Sequence, residues 1–398
     1  MSIDRTPGPV DPELRAEARA LLDDAVALRR QIHEHPELGL ENPRTRDAIA
    51  EAIGDLDLEI EHSVKTTGMV ALLRGAKPGP TILLRADTDA LPMPEDTGLS
   101  FASKEENRMH ACGHDAHAAM LAAGARLLAG RRNELAGNVK IMFQPGEEGL
   151  GGARVMMEEG LLEGVDAAFA IHIDPTVPAG AVASRAGALL AAADAFVIEV
   201  VGKGGHASMP HHTIDPIPVA CEIVGALQSL VTRRVDVFDP AVLSVTQVKA
   251  GTAFNVVPER VQVMGTIRSV SQRTRDRVRE GLHRVVEGVT AAHQTKGEVR
   301  LFPGYPVTEN DAGFVDFTRS VVSDLVGEDR WIEMPAPIMG AEDFSYVLDE
   351  FPGAMVFLGV RPDDHPPAPI HSNRMILNEQ AMATGIALHA AIALSYLG

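Results

Sequence analysis

Four short runs in this 398-residue chain are apolar almost without a break: 81–87 (TILLRAD), 139–144 (VKIMFQ), 167–173 (AAFAIHI) and 354–360 (AMVFLGV). A strand that alternates polar and apolar residues has one wet face, whereas a strand apolar throughout must be covered on both faces. Stretches of helical character separate these runs. The segment 12–32 is rich in Ala, Leu, Arg and Glu and ends near His35-Pro36, and 114–131 carries Ala116, Met120, Leu121, Gly124, Leu127 and Leu128 at helical spacing. A shorter helix is expected at 153–162. This alternation predicts an α/β fold with a mostly parallel central sheet covered by helices.

The pattern changes after Gly187. A strand at 195–202 (AFVIEVVG), a helix at 216–234, strands at 242–250 and 260–268, a helix at 271–293 and a strand at 298–302 spell out βαββαβ, the ferredoxin-like order. From about residue 310 the first pattern resumes, with a helix at 312–326, the 354–360 strand and a long helix over 378–397. The expected organisation is therefore one α/β domain made of 1–187 and 308–398, with 188–307 inserted as a compact module.

Composition narrows the partners. Lys and Arg number 36 against 55 Asp and Glu, a formal charge of −19, which repels nucleic acid and anionic lipid at long range. Neither is expected as a partner. Two cysteines, Cys112 and Cys221, exclude a disulfide scaffold and fit a reducing, cytoplasmic setting. No unbroken apolar run approaches the roughly 18–20 residues of a membrane span. The N-terminal stretch MSIDRTPGPVDPELRAEARA carries no apolar core of a secretion signal.

Polar clusters fall where the apolar strands run out, the place where open α/β sheets bind ligands. They are Arg85-Ala-Asp87-Thr-Asp89, Gln144-Pro-Gly-Glu147-Glu148, His172, and His365 to His371. A fifth, His110-Ala-Cys112-Gly-His114-Asp115, sits just before a helix. Taken singly, each has an ordinary structural reading: Cys112 a small buried hydrophobe, Glu147-Glu148 a solvated turn, His172 a strand histidine, His371 a surface loop residue. Together, Cys112, His114, Glu148, His172 and His371 offer more donors than one tetrahedral ion needs, which points to a two-metal centre. Adjacent carboxylates suit such a site, one binding metal and its neighbour taking a proton from water.

The strings RADTDALPM, MHACGHDAH, FQPGEEGLGGA, AIHI, GKGGHASMP, GTAFNVVPE, GTIRS, MGAEDFSY and IHSN resemble metallopeptidase family M20, from about His33 to the C-terminus and in the family's order. They fit its amidohydrolase branch, which includes N-acyl-amino-acid amidohydrolases, hippurate hydrolases and auxin-conjugate hydrolases. The resemblance implies a zinc-peptidase-like catalytic domain with an inserted lid that also dimerises. It implies two divalent ions (Zn, Mn, Co or Ni) held by Cys112, His114, Glu148, His172 and His371, with Glu147 as general base and Asp87 orienting groups nearby. In the lid, His206 would polarise the substrate carbonyl across a homodimer, and Asn255 and Arg268 would bind the carboxylate of an N-acyl amino acid. Glu342 would brace the metal site. Read without the family, His206 is a polar turn residue, Asn255 a turn-forming amide and Arg268 a solvated strand end. Two rival functions remain at this stage: a cysteine hydrolase using Cys112 with a nearby histidine, and a non-catalytic carboxylate-binding dimer.

Overall fold

The computed structural model describes Gly8 and residues 10–398, so residues 1–7 and 9 of the opening segment read for a secretion signal lie outside the described residues. The chain forms two compact units. One comprises the chain up to Leu189, Glu309–Ala336 and Asp343–Gly398; the other comprises Leu190–Thr308 and Pro337–Glu342.

The first unit is built on an eight-stranded sheet in the order Glu59–His62, Met69–Arg74, Ala136–Gln144, Lys77–Asp87, Ala167–Asp174, Gly353–Gly359, Val182–Ser184, Trp331–Glu333. Its middle four strands are the apolar runs, and they are mutually parallel. The flanks are mixed: the first two strands pair antiparallel, and Val182–Ser184 opposes Gly353–Gly359. These flanking strands escaped the sequence reading for plain reasons. Glu59–His62 is exposed at every position, and Val182–Ser184 and Trp331–Glu333 span only three residues, too short to show a period.

Two helices with nearly all faces buried belong to this unit's core, His114–Gly130 and Met382–Leu397. Gly124 lets them approach closely, since a Cβ there would lie 3.2 Å from that of His389. The helix expected over 12–32 is two helices, Leu14–Ala20 and Leu22–Glu34, separated at Leu21. The last helix starts later than expected, after the 3-10 turn Glu379–Ala381, where the Asn378 side chain accepts a hydrogen bond from the Gln380 N–H. Residues 379–397 are long and apolar enough to cross a membrane by length and composition, but 72% of that window is buried inside the protein. That burial is the state of a core helix.

The second unit holds a four-stranded antiparallel sheet in the order Ala241–Ala250, Arg260–Ser269, Ala192–Val201, Lys296–Pro303. With helices Pro216–Arg234 and Gln272–Ala292 this is the βαββαβ arrangement. Alternation is strict on Arg260–Ser269, so Val261, Val263 and Ile267 reach the core shared with the helices while Arg268 and its face neighbours do not. Where the chain enters and leaves the sheet, buried Asp194 accepts from Arg275 and Arg279, and Arg275 also donates to the Gly304 carbonyl. The segment Pro337–Glu342 joins this unit through Leu190 and Ala191, a return of the chain the sequence reading did not foresee.

Candidate metal centre

Parallel strands deliver their last residues to one edge of the sheet, and register fixes which ones meet. Asp87 lies beside Gln144 on adjacent strands, and His172 pairs with Phe357 one strand further on. Cys112 and His114 arrive separately, at the start of helix His114–Gly130. Gly113 between them has φ +88, and a Cβ there would stand 2.4 Å from Ile173 Cγ1. Only glycine fits that turn. His371 comes from the Pro-rich loop after the Gly353–Gly359 strand. It too has a left-handed backbone (φ +63), rare for a residue with a side chain, and its N–H donates to the Ala111 carbonyl.

All five expected ligands belong to the first unit, and their donor atoms form overlapping groups. Cys112, His114 and His172 make one, Cys112, Glu148 and His371 a second, and His114, Glu147 and Glu148 a third; within each group the atoms lie within 4.8 Å of one another. Cys112 Sγ is 3.3 Å from His172 Nε2, and His371 Nε2 is 3.2 Å from Glu148 Oε1. The first two groups share the Cys112 sulfur.

The imidazoles are prepared for metal. His114 Nδ1 donates to the Asp89 carbonyl at 2.7 Å, and His172 Nδ1 donates to the Ile173 carbonyl at 2.7 Å. Each ring therefore presents Nε2 to the group, and the buried Nε2 of His114 has no hydrogen-bond partner. A buried nitrogen left so is costly unless a cation takes its lone pair. The electrostatics agree. Burial opposes the thiolate, yet the His172 and His114 imidazoles pull the Cys112 thiol down to about 6. Burial likewise opposes charge on His172, but the Cys112 thiolate lifts it to about 9. Hydrogen bonds to Cys112 and Glu148 raise His371 to about 10. A compact set of anions thus draws protons onto its own ligands, and a divalent cation would displace them.

Around this centre lies a second layer. The Asp89 carboxylate accepts the Glu147 N–H at 2.9 Å and the Glu148 N–H at 3.0 Å, fixing both glutamates from the backbone side. Asp87 is fully buried. Burial would raise its pKa, but the Arg85 guanidinium and the nearby histidines hold it well below the usual carboxylate range. His117 accepts the Ile173 N–H on Nε2, so its Nδ1 carries the proton and donates to Asp87 at 2.6 Å. Beneath them Arg85 donates to Asp87, Gln144 and Asp343. The sequence reading noted Arg85 and Asp89 as part of a polar cluster without giving them work, and passed over His117. Its spacing of three residues from His114 on one helix was the available signal.

His206, Asn255 and Arg268 lie in the second unit. There the two-residue strands Gly205–His206 and Val256–Val257 pair, setting His206 opposite Val256, and the Ala207 N–H donates to the Asn255 carbonyl at 3.0 Å. His206 and Asn255 are exposed and thus adjacent, while Arg268 is half-buried on strand Arg260–Ser269. Glu342 is buried at the end of Pro337–Glu342.

The sequence model of peptidase family M20/M25/M40 matches residues 83–395. The chain belongs to that family. Similar proteins include thermostable carboxypeptidase 1 of Saccharolobus solfataricus, 38% identical over 96% of this chain and 98% of that protein. The IAA-amino acid hydrolase ILR1-like 2 of Arabidopsis thaliana is 39% identical over 96% of this chain and 87% of its own length. N-acetylcysteine deacetylase of Bacillus subtilis is 38% identical over 94% and 96%. Among solved structures, the Bacillus subtilis YXEP protein, described as a dinuclear metal binding peptidase from the M20 family, superposes with a TM-score of 0.84 at 35% identity, covering 95% of this chain and 99% of that one. The chain is accordingly a hydrolase of the amidohydrolase branch of M20, with a metal-dependent chemistry directed at amide bonds.

Proposed function

We propose that this M20 hydrolase cleaves N-acyl amino acids and related conjugates with two divalent cations, one held mainly by Cys112, His114 and His172 and the other by Cys112, Glu148 and His371. The observation that carries this reading is the sharing of one sulfur between two donor triads beside a spare, backbone-anchored glutamate. Bound in that donor set, divalent cations would supply Lewis acidity, of the kind that lowers the pKa of water from 15.7 toward ~7. Glu147 accepts the proton of the attacking water and returns it to the departing nitrogen, so the C–N bond breaks to a carboxylic acid and an amine. Asp87 stays ionised beneath the centre and holds His117 and Arg85 in register with it. Arg268 and Asn255 suit a free carboxylate on the substrate, the guanidinium fork offering two parallel donors.

The experiment is an assay of metal-loaded protein against N-acyl amino acids that vary separately in acyl group and amino acid. Hydrolysis that falls sharply when the α-carboxylate is amidated is the expected result. Binding of every member with cleavage of none would instead favour the non-catalytic carboxylate-binding reading.

A homodimer belongs to the same proposal, with His206 acting on the carbonyl in its partner's site. Strand Ala241–Ala250 ends the second unit's sheet, its residues 246–250 are exposed, and Val248 stands out among them at 55% exposure. An unprotected edge of this kind can pair with its own copy about a two-fold axis. Sedimentation is expected to give twice the 42.4 kDa chain mass at micromolar concentration. A monomer there removes both the dimer and the role of His206 in trans.

A further inference from the structure

The loop that carries Glu147 and Glu148 runs from the end of one buried strand, Ala136–Gln144, to the start of the short helix Gly152–Glu158. Its two arms touch, since a Cβ on Gly152 would lie 1.7 Å from the Pro145 carbonyl oxygen. Both ends are tied to a single carboxylate, that of Asp343, which is wholly buried. At the strand end, Gln144 Nε2 donates to Asp343 Oδ2 at 2.7 Å and to Oδ1 at 3.0 Å. At the helix end, the Ala153 N–H donates to Oδ2 at 2.9 Å. Arg85 Nη2 donates to Oδ1 at 2.9 Å, while the same guanidinium donates through Nη1 to Asp87 and through Nε to Gln144 Oε1.

We infer that Asp343 is a positioning residue for the hydrolysis, acting through the 144–153 loop to hold the Glu147 carboxylate on the attacking water. This rests on the reading of Glu147 as the base. A general base must be held within a fraction of an ångström of its proton, and a displacement of about 1 Å costs on the order of 100-fold in rate. Asp89 grips the middle of the loop and Asp343 closes its base, so the loop is fixed at three points. Asp343 also neutralises Arg85 from the side opposite Asp87, which keeps that guanidinium oriented toward the Asp87 carboxylate. Sequence neighbours disguise the role: Asp343 follows Glu342, the more conspicuous candidate.

The test is Asp343→Asn, which keeps shape but replaces one acceptor oxygen with a donor facing the Ala153 or Gln144 N–H. Expected are a kcat lowered about 10–100-fold, the range for residues supporting a metal site, a KM within about threefold, and faster hydrogen exchange across residues 144–153. In a Glu147→Gln background the same change should cost almost nothing more, because a residue that acts through Glu147 has nothing left to position. Undiminished kcat in folded Asp343→Asn, or losses from the two changes that simply multiply, overturns the inference. If Asp343→Asn does not fold, Gln144→Met leaves the Arg85–Asp343 pair in place and removes the strand-end tie together with the Gln144 acceptor of Arg85 Nε. It should then show the same pattern at smaller amplitude, and wild-type kcat and exchange in it contradict the inference. Glu147→Gln that retains turnover is a failure of the base assignment itself. Glu147→Gln inactive beside fully active Asp343→Asn is a failure of the Asp343 assignment alone.

Discussion

Glu147→Gln is expected to lower kcat by about 10²–10⁴-fold, the contribution typical of a positioned general base, while KM moves by less than about threefold. Glutamine matches glutamate in size, and the backbone N–H that Asp89 holds is untouched by the change. The loop should therefore keep its shape, and substrate should still bind. What disappears is an acceptor for the proton of water, which is needed only on the way to the transition state; such a loss falls on kcat and leaves ground-state binding alone. Steady-state kinetics with metal content measured on the same samples checks this. Near-normal turnover in a fully metal-loaded variant would remove Glu147 from the mechanism.

Stripping the protein with a chelator is expected to reduce turnover by more than about 10³-fold, and returning Zn, Mn, Co or Ni should restore it. The rival reading makes Cys112 a nucleophile, and its chemistry gives that reading some force, since a thiol held at about 6 is largely thiolate at neutral pH. A thiolate of that kind serves equally as a ligand or as an attacking group. The histidines beside it separate the roles. His172 and His114 both turn Nε2 toward the sulfur's neighbourhood with Nδ1 committed to backbone carbonyls, and Glu148 and His371 form a second group with the same sulfur. A cysteine nucleophile needs one base, and three of those four side chains would then be idle. Activity that survives exhaustive chelation, with metal verified as absent, would restore the cysteine mechanism.

The centre of the fold was legible because four strands buried on both faces leave a continuous apolar signature, as in Ala167–Asp174, which is buried except at its last residue. The inserted βαββαβ order was legible for a related reason: Arg260–Ser269 alternates with a period of two for its full length. Short or exposed pieces such as Glu59–His62 and Val182–Ser184 carry no period to read. The break at Leu21 follows from no glycine or proline, and the two helices on either side share one amphipathic pattern that reads as a single helix. At the site, residues with distinctive chemistry in distinctive strings could be named beforehand. Their support could not. Arg85, Asp89, His117 and Asp343 are ordinary residue types whose importance lies in burial and in partners up to 258 positions away, and neither property is written in local sequence.

Anomalous X-ray scattering from crystals of the metal-loaded protein tests the central claim most directly. Two strong peaks per chain, each within bonding distance of Cys112 Sγ (about 2.3 Å for zinc) and flanked respectively by His114 with His172 and by Glu148 with His371, are the predicted result. A single peak, or metal bound away from Cys112, would contradict the account.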